Sequence, residues 1–310
     1  MKIVALSGGI GGAKLALGLA SVLAPGSLSV IANTGDDFTH LGLRICPDID
    51  TLTYTLAGLD NPALGWGRAD ETWSFMETLE ALGGETWFRL GDRDLALHVA
   101  RTRRLAGGES LSAITADIAA RLGIASAILP MSDETVATMV DTDEGALEFQ
   151  EYFVHRQCRP AVRAIRFAGA AAARPADAVL AALAAPDLAG IVICPSNPFI
   201  SIDPILAVPG MRTALRGAGV PVVAVSPLIG GRAVKGPTAK MMAEMGRTPD
   251  AAGIAGHYGD LLDGYVLDHE DAATVLAGIP SIVTKTLMRA LDDKTALARD
   301  VLDFIGGLRA

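Results

Sequence analysis

Met1-Lys-Ile-Val-Ala-Leu-Ser-Gly-Gly-Ile-Gly-Gly-Ala-Lys14 is the stretch that decides the fold. Ile3 to Leu6 is a short apolar run with the character of a buried strand. Ser7, the pairs Gly8-Gly9 and Gly11-Gly12, and Lys14 follow it. Leu15, Leu17, Leu19, Val22 and Leu23 then predict a helix packed on a sheet. A strand that runs through glycines into a helix N-terminus presents free backbone N–H groups and the positive end of a helix dipole, which suits a phosphate. A tight turn without a ligand would produce a similar pattern, but four glycines in five residues exceed what a turn needs. The stretch is not a Walker A loop, because Ala13-Lys14-Leu15 stands where Gly-Lys-Ser/Thr is required. Read from Gly9 and Gly11, the dinucleotide fingerprint would place its third glycine at Lys14.

Outward from this turn, buried strands alternate with helices. Leu28 to Ala32 is a second strand and ends in Asn33-Thr34-Gly35-Asp36-Asp37. Asp48 and Asp50 precede a helical run from Thr51 to Leu56; one of them could serve as an N-cap, but four carboxylates within fifteen residues are more than caps require. The pattern predicts a helix from about Asp70 to Leu82, a strand at Trp87 to Leu90, and a polar pocket or capped helix start at Gly91-Asp92-Arg93-Asp94 beside Arg89. From about Ile128 to Phe167 the pattern turns strand-rich, with extended segments at Val136–Val140, Phe149–Val154 and Ala161–Phe167. Gly190 to Cys194 is a fully apolar strand followed by Pro195-Ser196-Asn197, and Pro221 to Val225 is another. The latter enters a second glycine-rich, cationic loop with Gly230, Gly231, Arg232 and Lys235, whose cations could pair phosphate oxygens. A helix near Ala251 to Leu262, a strand at Tyr265 to Leu267, a helix ending at Gly278, a strand at Ile282-Val283 and a closing helix from Leu291 to Leu308 complete the chain. His257 and His269 have no ligand-like spacing and read as ordinary residues. This alternation predicts an α/β fold: a doubly wound, mainly parallel, Rossmann-like sheet in a single domain over residues 1–310, with a small strand-rich excursion at about 128–170.

Composition narrows the function. The chain has 310 residues, 50% of them hydrophobic, with mean hydropathy +0.37, so a large core is available. A net charge of −9 argues against broad nucleic-acid or anionic-membrane binding. No apolar run is long enough to span a membrane, and the short run after Lys2 does not read as a signal peptide. Cys46, Cys158 and Cys194 form no CxxC pattern and suit a reducing, cytoplasmic setting. Phosphoryl chemistry needs amide donors, a carboxylate-held metal and cations on the migrating group. The glycine loops with Ser196 and Asn197 are the donor-side candidates. Asp36, Asp37, Asp48 and Asp50 are the carboxylate candidates, the first three for the metal and the last two for catalysis. Lys14, Arg232 and Lys235 are the cations.

The ordered set SGGIGGAKL, NTGDD, CPDIDT, WFRLGDRDLALH, LPMSD, FQEYFV, PSNPFISIDPIL and VSPLIGGRAVKGP covers nearly the whole chain and resembles the 2-phospho-L-lactate transferase family of coenzyme F-420 biosynthesis. The glycine loop is closer to the bacterial members than to the archaeal ones. The resemblance implies transfer of a phospholactyl, phosphoenolpyruvyl or phosphoglyceryl group from a guanosine-diphosphate-linked donor. The acceptor would be the terminal ribityl hydroxyl of the deazaflavin Fo, with release of GMP and use of Mg²⁺. By motif position Asp50 and Arg89 match the family's Fo-binding residues, and a homodimer is what the family suggests. Two other readings compete: a nucleotide-sugar-binding regulator of the gluconeogenesis-factor type, and a nicotinamide-dependent oxidoreductase, against which the missing third glycine counts.

Overall fold

The computed structural model describes residues 1–61, 66–234 and 236–309. Seven strands pair in parallel: β1 (Lys2–Ser7), β2 (Leu28–Ala32), β3 (Ala127–Pro130), β4 (Leu188–Ile193), β5 (Val222–Val225), β6 (Gly264–Asp268) and β7 (Ser281–Thr284). Their order is β7-β6-β5-β4-β1-β2-β3. The chain winds outward from β1 to β3, then returns to β4 on the other side of β1. The sheet is therefore doubly wound, and its switch point lies between β1 and β4. Side chains alternate between its faces. Ile3 and Ala5 join Val30, Val192, Val223 and Val266 on one face, under α1 (Gly9–Val22) and the closing helix Leu291–Leu308. Val4 and Leu6 join Ile31, Ile191, Ile193 and Ala224 on the other, packed on Val179, Ile205, Leu215 and Ile254.

Two annexes flank the switch point. A hairpin of Phe38–His40 and Leu43–Ile45 leads into α2 (Pro47–Leu56). Beneath the hairpin, Phe38, Ile45, Met76 and Leu90 form a small core of their own with Trp73, Trp87 and Phe88 packed around it. The second annex is an antiparallel sheet of Ala137–Thr142, Gly145–Glu148 and Val162–Ala168. Ala127–Pro130, read from sequence as the start of the excursion, is instead the edge strand of the main sheet.

Several expected elements differ. The helix expected from Asp70 runs only Ser74–Ala81, because Asp70 adopts a left-handed backbone (φ 56°) and the Asp92 carboxylate accepts from the amides of Ser74 (3.2 Å) and Phe75 (3.1 Å). Trp87–Leu90 is not a strand; its rings are drawn into the aromatic cluster, with Phe38 and Phe88 edge-to-face at 4.8 Å. Phe149–Val154 is not extended; Glu151–His155 forms a π-helical turn that stacks Phe153 on Phe149 at 5.2 Å. The helix expected between Asp268 and Gly278 is only the short turn His269–Asp271; Val275 beyond it is exposed, while Leu276 and Ile279 pack on the core.

Candidate active site

The C-terminal ends of β1 and β4 open into a cleft of about 390 Å³, where an open α/β sheet binds its ligands. Ser7 leads directly into α1, with Gly8 at its N-cap. This turn is close-fitting. A Cβ on Gly8 would lie 2.5 Å from Ser201 Cβ and 2.8 Å from Asp48 Oδ2, and one on Gly11 would overlap the Pro195 carbonyl oxygen. The glycines let the β1 turn and the β4 loop touch through backbone.

The first amide of α1 is already used. Gly9 N donates to Asp48 Oδ1 at 2.6 Å, so a protein carboxylate occupies part of the anion-binding position that the sequence assigned to a phosphate. Asn33 Nδ2 donates to Asp48 Oδ2 at 2.9 Å and is itself fixed by Ile200 O at 3.2 Å. Cys46 occupies the N-cap of α2, so neither Asp48 nor Asp50 caps that helix; both project into the cleft from its first turn. Burial above all pushes Asp48 up to about 6, against the hydrogen bonds from Asn33 and Gly9, which favour the carboxylate. Asp36 also lines the cleft. Burial first, and then the charge of Asp48, raises it well above the carboxylate range, and its buried Oδ1 has no hydrogen-bond partner. Two buried carboxylates thus face one cleft, and the charge of Asp48 is felt by Asp36.

Asp37, expected beside them, does not line the cleft. Its side chain turns into the protein, with Arg44 Nη2 at 3.5 Å, and burial raises it to about 7. Among the described residues no three His, Cys, Asp or Glu side chains are grouped closely enough to hold a metal by themselves. Gly8, Gly9, Gly11 and Lys14 line the cleft, whereas Gly12 packs inward against Ser7 and Ser196. Lys14 Nζ donates to Met288 O at 3.1 Å. Ser196 and Asn197 line the cleft, but their polar atoms brace the walls: Ser196 Oγ donates to Gly8 O at 2.8 Å, and Asn197 Oδ1 accepts from Phe199 N at 2.9 Å.

The second glycine loop is built as a hairpin. Gly230 and Gly231, with φ of +54° and +70°, form the tight turn of a hairpin between Leu228–Ile229 and Arg232–Ala233. Gly230 N donates to Asp271 at 3.0 Å, neither glycine lines the cleft, and Arg232 is largely exposed with Glu270 4.0 Å away. The hairpin contributes its flanks instead, through Ser226, Ile229, Gly236 and Thr238. Lys235 lies outside the described residues.

The other half of the cleft is aromatic, with Tyr54, Trp66, Phe88, Phe149 and Phe153. Arg89 lies on this side, its guanidinium 4.2 Å from the Trp73 ring centroid. Asp50 faces the cleft with both oxygens held by Arg101, Nη1 at 3.1 Å from Oδ2 and Nη2 on Oδ1. Arg101 is 2% exposed and sits on α3 (Asp92–Ala106). His98 and Asp94 precede it on the same helix face, and Asp94 accepts the Tyr54 hydroxyl. Burial opposes ionisation of Asp94, but hydrogen bonds from His98 and Tyr54 outweigh it and hold the carboxyl below its usual range. Arg101 was not read from sequence as a site residue. The spacing 94, 98, 101, one helix face of three titratable residues, was the available signal.

A family model described as 2-phospho-L-lactate transferase CofD matches residues 3–280. The chain is 45% identical to the phosphoenolpyruvate transferase of Streptomyces griseus, an alignment that covers 100% of each. Identity to the protein of the same name is 43% in Streptomyces coelicolor, over 97% of both chains, and 37% in Mycobacterium tuberculosis, over 92% of this chain and 94% of that one. A solved UPF0052-family protein from Bacillus halodurans shares the fold, with a TM-score of 0.61 over 97% of this chain and 98% of that one at 14% identity. The family match takes in the glycine turn, the carboxylates of α2 and the β4 loop alike, and the chain belongs to the 2-phospho-L-lactate transferase family, a transferase of coenzyme F-420 biosynthesis.

Proposed function

We propose that the protein moves a phosphoenolpyruvyl group from a guanosine-diphosphate-linked donor to the terminal ribityl hydroxyl of Fo, releasing GMP. The name that the 37–45% identical bacterial relatives share favours enolpyruvate over lactate or glycerate as the three-carbon group. One observation carries the reading: a buried carboxylate pair, Asp36 and Asp48, faces the same cleft as a wall of aromatic side chains. The donor's diphosphate lies against Ile10, Gly11 and Lys14, with its nucleoside toward Pro195 and Asn197. The deazaflavin ring lies along Phe88, Phe149 and Phe153, near Arg89. Asp50, immobilised by Arg101, meets the hydroxyl between them.

In the reaction the hydroxyl oxygen bonds to the outer phosphorus, the bond from that phosphorus to the GMP oxygen breaks, and the hydroxyl proton leaves to a carboxylate. Asp50 and Asp48, which both project into the cleft from the first turn of α2, are the carboxylates at hand for that proton. Mg²⁺ fits the residues present: it is commonly held by one or two carboxylates together with substrate phosphates and water. The unpartnered Oδ1 of Asp36 and the adjacent Asp48 supply such a set. When bound, the ion neutralises diphosphate charge; the chain's own part is to hold donor, acceptor and carboxylates in line.

The test is direct. Protein, Mg²⁺, Fo and a freshly guanylylated donor should give GMP and a more anionic deazaflavin on ion-exchange chromatography, fastest with the enolpyruvyl donor. Absence of product from the lactyl, enolpyruvyl and glyceryl donors alike would overturn the reading.

A further inference from the structure

Behind Asp50 lies a chain of buried polar groups that the transfer reaction itself does not require to touch substrate. Arg101 gives two N–H groups to the Asp50 carboxylate. Its Nη1 also lies 3.4 Å from Arg44 O and 3.4 Å from His98 Nδ1. Guanidinium nitrogens only donate, so His98 Nδ1 must be the acceptor in that contact. In the neutral ring the proton then sits on Nε2, which is 3.1 Å from Asp94 Oδ2. Asp94 accepts a second time, from the Tyr54 hydroxyl. The direction is set from Asp94: its negative charge, 3.1 Å from His98 Nε2, holds the ring proton on that nitrogen, the bare Nδ1 faces the Arg101 fork, and the fork fixes Asp50. His98 and Arg101 are almost wholly buried, so water cannot substitute for a lost partner without rearrangement.

We infer that Asp94, His98 and Arg101 form a positioning relay that sets the orientation of the Asp50 carboxylate toward the acceptor hydroxyl. The inference rests on the role proposed for Asp50. A structural ion pair alone would need only Arg101 and Asp50. The additional members, aligned on one face of α3 and reaching the cleft wall at Asp94 and His98, specify direction as well as charge. Reacting groups misplaced by about 1 Å can lose roughly 100-fold in rate, so a relay of this kind acts on turnover more than on affinity.

Two experiments test it. The first does not depend on activity: long-range ¹H–¹⁵N correlation spectra of the protein, with His98 assigned by its loss in His98→Asn, should show His98 protonated at Nε2 and bare at Nδ1. A proton on Nδ1 would overturn the relay whatever the reaction proves to be. The second compares His98→Leu, which removes the acceptor, with His98→Asn, whose side-chain oxygen can take the place of Nδ1. His98→Leu should lower kcat roughly 30- to 100-fold with the donor KM unchanged, and His98→Asn should recover most of the loss. Leu and Asn variants with equal rates, or a His98→Leu enzyme within about twofold of the parent, would refute the inference. Should His98→Leu fail to fold, the same decision falls to Arg101→Lys, which keeps the charge without the fork and should lose kcat by a similar factor. If the parent transfers nothing from any donor, the proposed function fails, and the tautomer still decides the relay.

Discussion

Asp36, Asp37 and Asp48 are near neighbours in sequence with different fates, and pH separates them. Burial raises Asp48 to about 6 and Asp37 to about 7, from an ordinary value of 3.8. A carboxyl whose folded pKa is raised binds its proton more tightly in the folded state. Its contribution to stability is therefore present below about pH 4 and is lost as pH rises through the folded value. The ligand-free protein should melt higher at pH 5 than at pH 8 on account of these groups. Asp37→Asn removes one of them without touching the cleft. It should raise stability at pH 8 by on the order of 1–3 kcal/mol, after allowing for the lost Arg44 contact, and flatten the pH dependence of the melting temperature. Its transfer activity should stay within about threefold of the parent, since Asp37 faces away from the cleft; a collapse in activity would return Asp37 to the metal set. Asp48→Asn is the opposite case. It should leave stability at pH 8 intact or improved and cost at least about 100-fold in kcat/KM. In the parent, kcat/KM for the donor should fall at acid pH as the buried carboxylates of the cleft take up protons. An Asp48→Asn profile with the same acidic limb would remove that assignment.

At the scale of elements, the β1–α1 turn depends on close backbone contact. Gly11→Ala would gain about 1 kcal/mol of helix propensity. It would also force a methyl into the Pro195 carbonyl, where both partners are backbone and neither can rotate away. Overpacking of this kind costs about 1–3 kcal/mol, so the contact should win. The expected result is a lower urea midpoint with an unchanged slope, and a higher KM for the donor than for Fo. A midpoint equal to the parent's would mean that the turn relaxes freely. The same turn explains what was legible in the sequence. Ile3 to Leu6, Leu28 to Ala32 and Gly190 to Cys194 are apolar runs ending in glycine, asparagine or proline, and local composition alone defines such strands. The hairpin form of the second glycine loop was not legible, because Gly230-Gly231 reads equally as an anion cradle and as a hairpin turn, and the partner of Gly230 N is Asp271, 41 residues away. Phe149–Val154 reads as extended because it is rich in aromatic residues and valine, but its aromatics at 149, 152 and 153 have helical spacing, and Phe153 stacks on Phe149 in a helical turn. Arg101 was missed because a charged side chain is usually read as exposed, and its counter-charge, Asp50, lies on another helix.

The whole molecule closes its cleft by bringing distant segments together, and one ion-paired junction ties them. Phe149, Gln150 and Phe153 from the excursion and Gly236, Pro237 and Thr238 from the β5 loop line the same cleft. Behind them, Thr238–Glu244 is a short helix whose last residue accepts from Val162 N of the excursion at 3.0 Å. Lys240 Nζ reaches Pro160 O at 3.0 Å and Glu244 at 2.8 Å. The excursion and the β5 loop are therefore held as one wall, opposite the carboxylates of the main sheet. If that wall seats the flat acceptor, loosening it should weaken Fo binding while leaving the Asp36–Asp48 side unaffected. Glu244→Ala frees both Val162 N and Lys240 at a half-exposed site, so its cost in global stability should stay near 1 kcal/mol. The Fo KM should rise roughly 3- to 10-fold, the range expected when a binding wall is held less often in its closed position, and the donor KM should change by less than about twofold. Lys240→Met, which keeps Glu244 on Val162 N, should have a smaller effect of the same sign. Initial rates with each substrate varied in turn would decide the matter: equal changes in both KM values would show a general loosening of the sheet, and an unchanged Fo KM would place the acceptor elsewhere than on this wall.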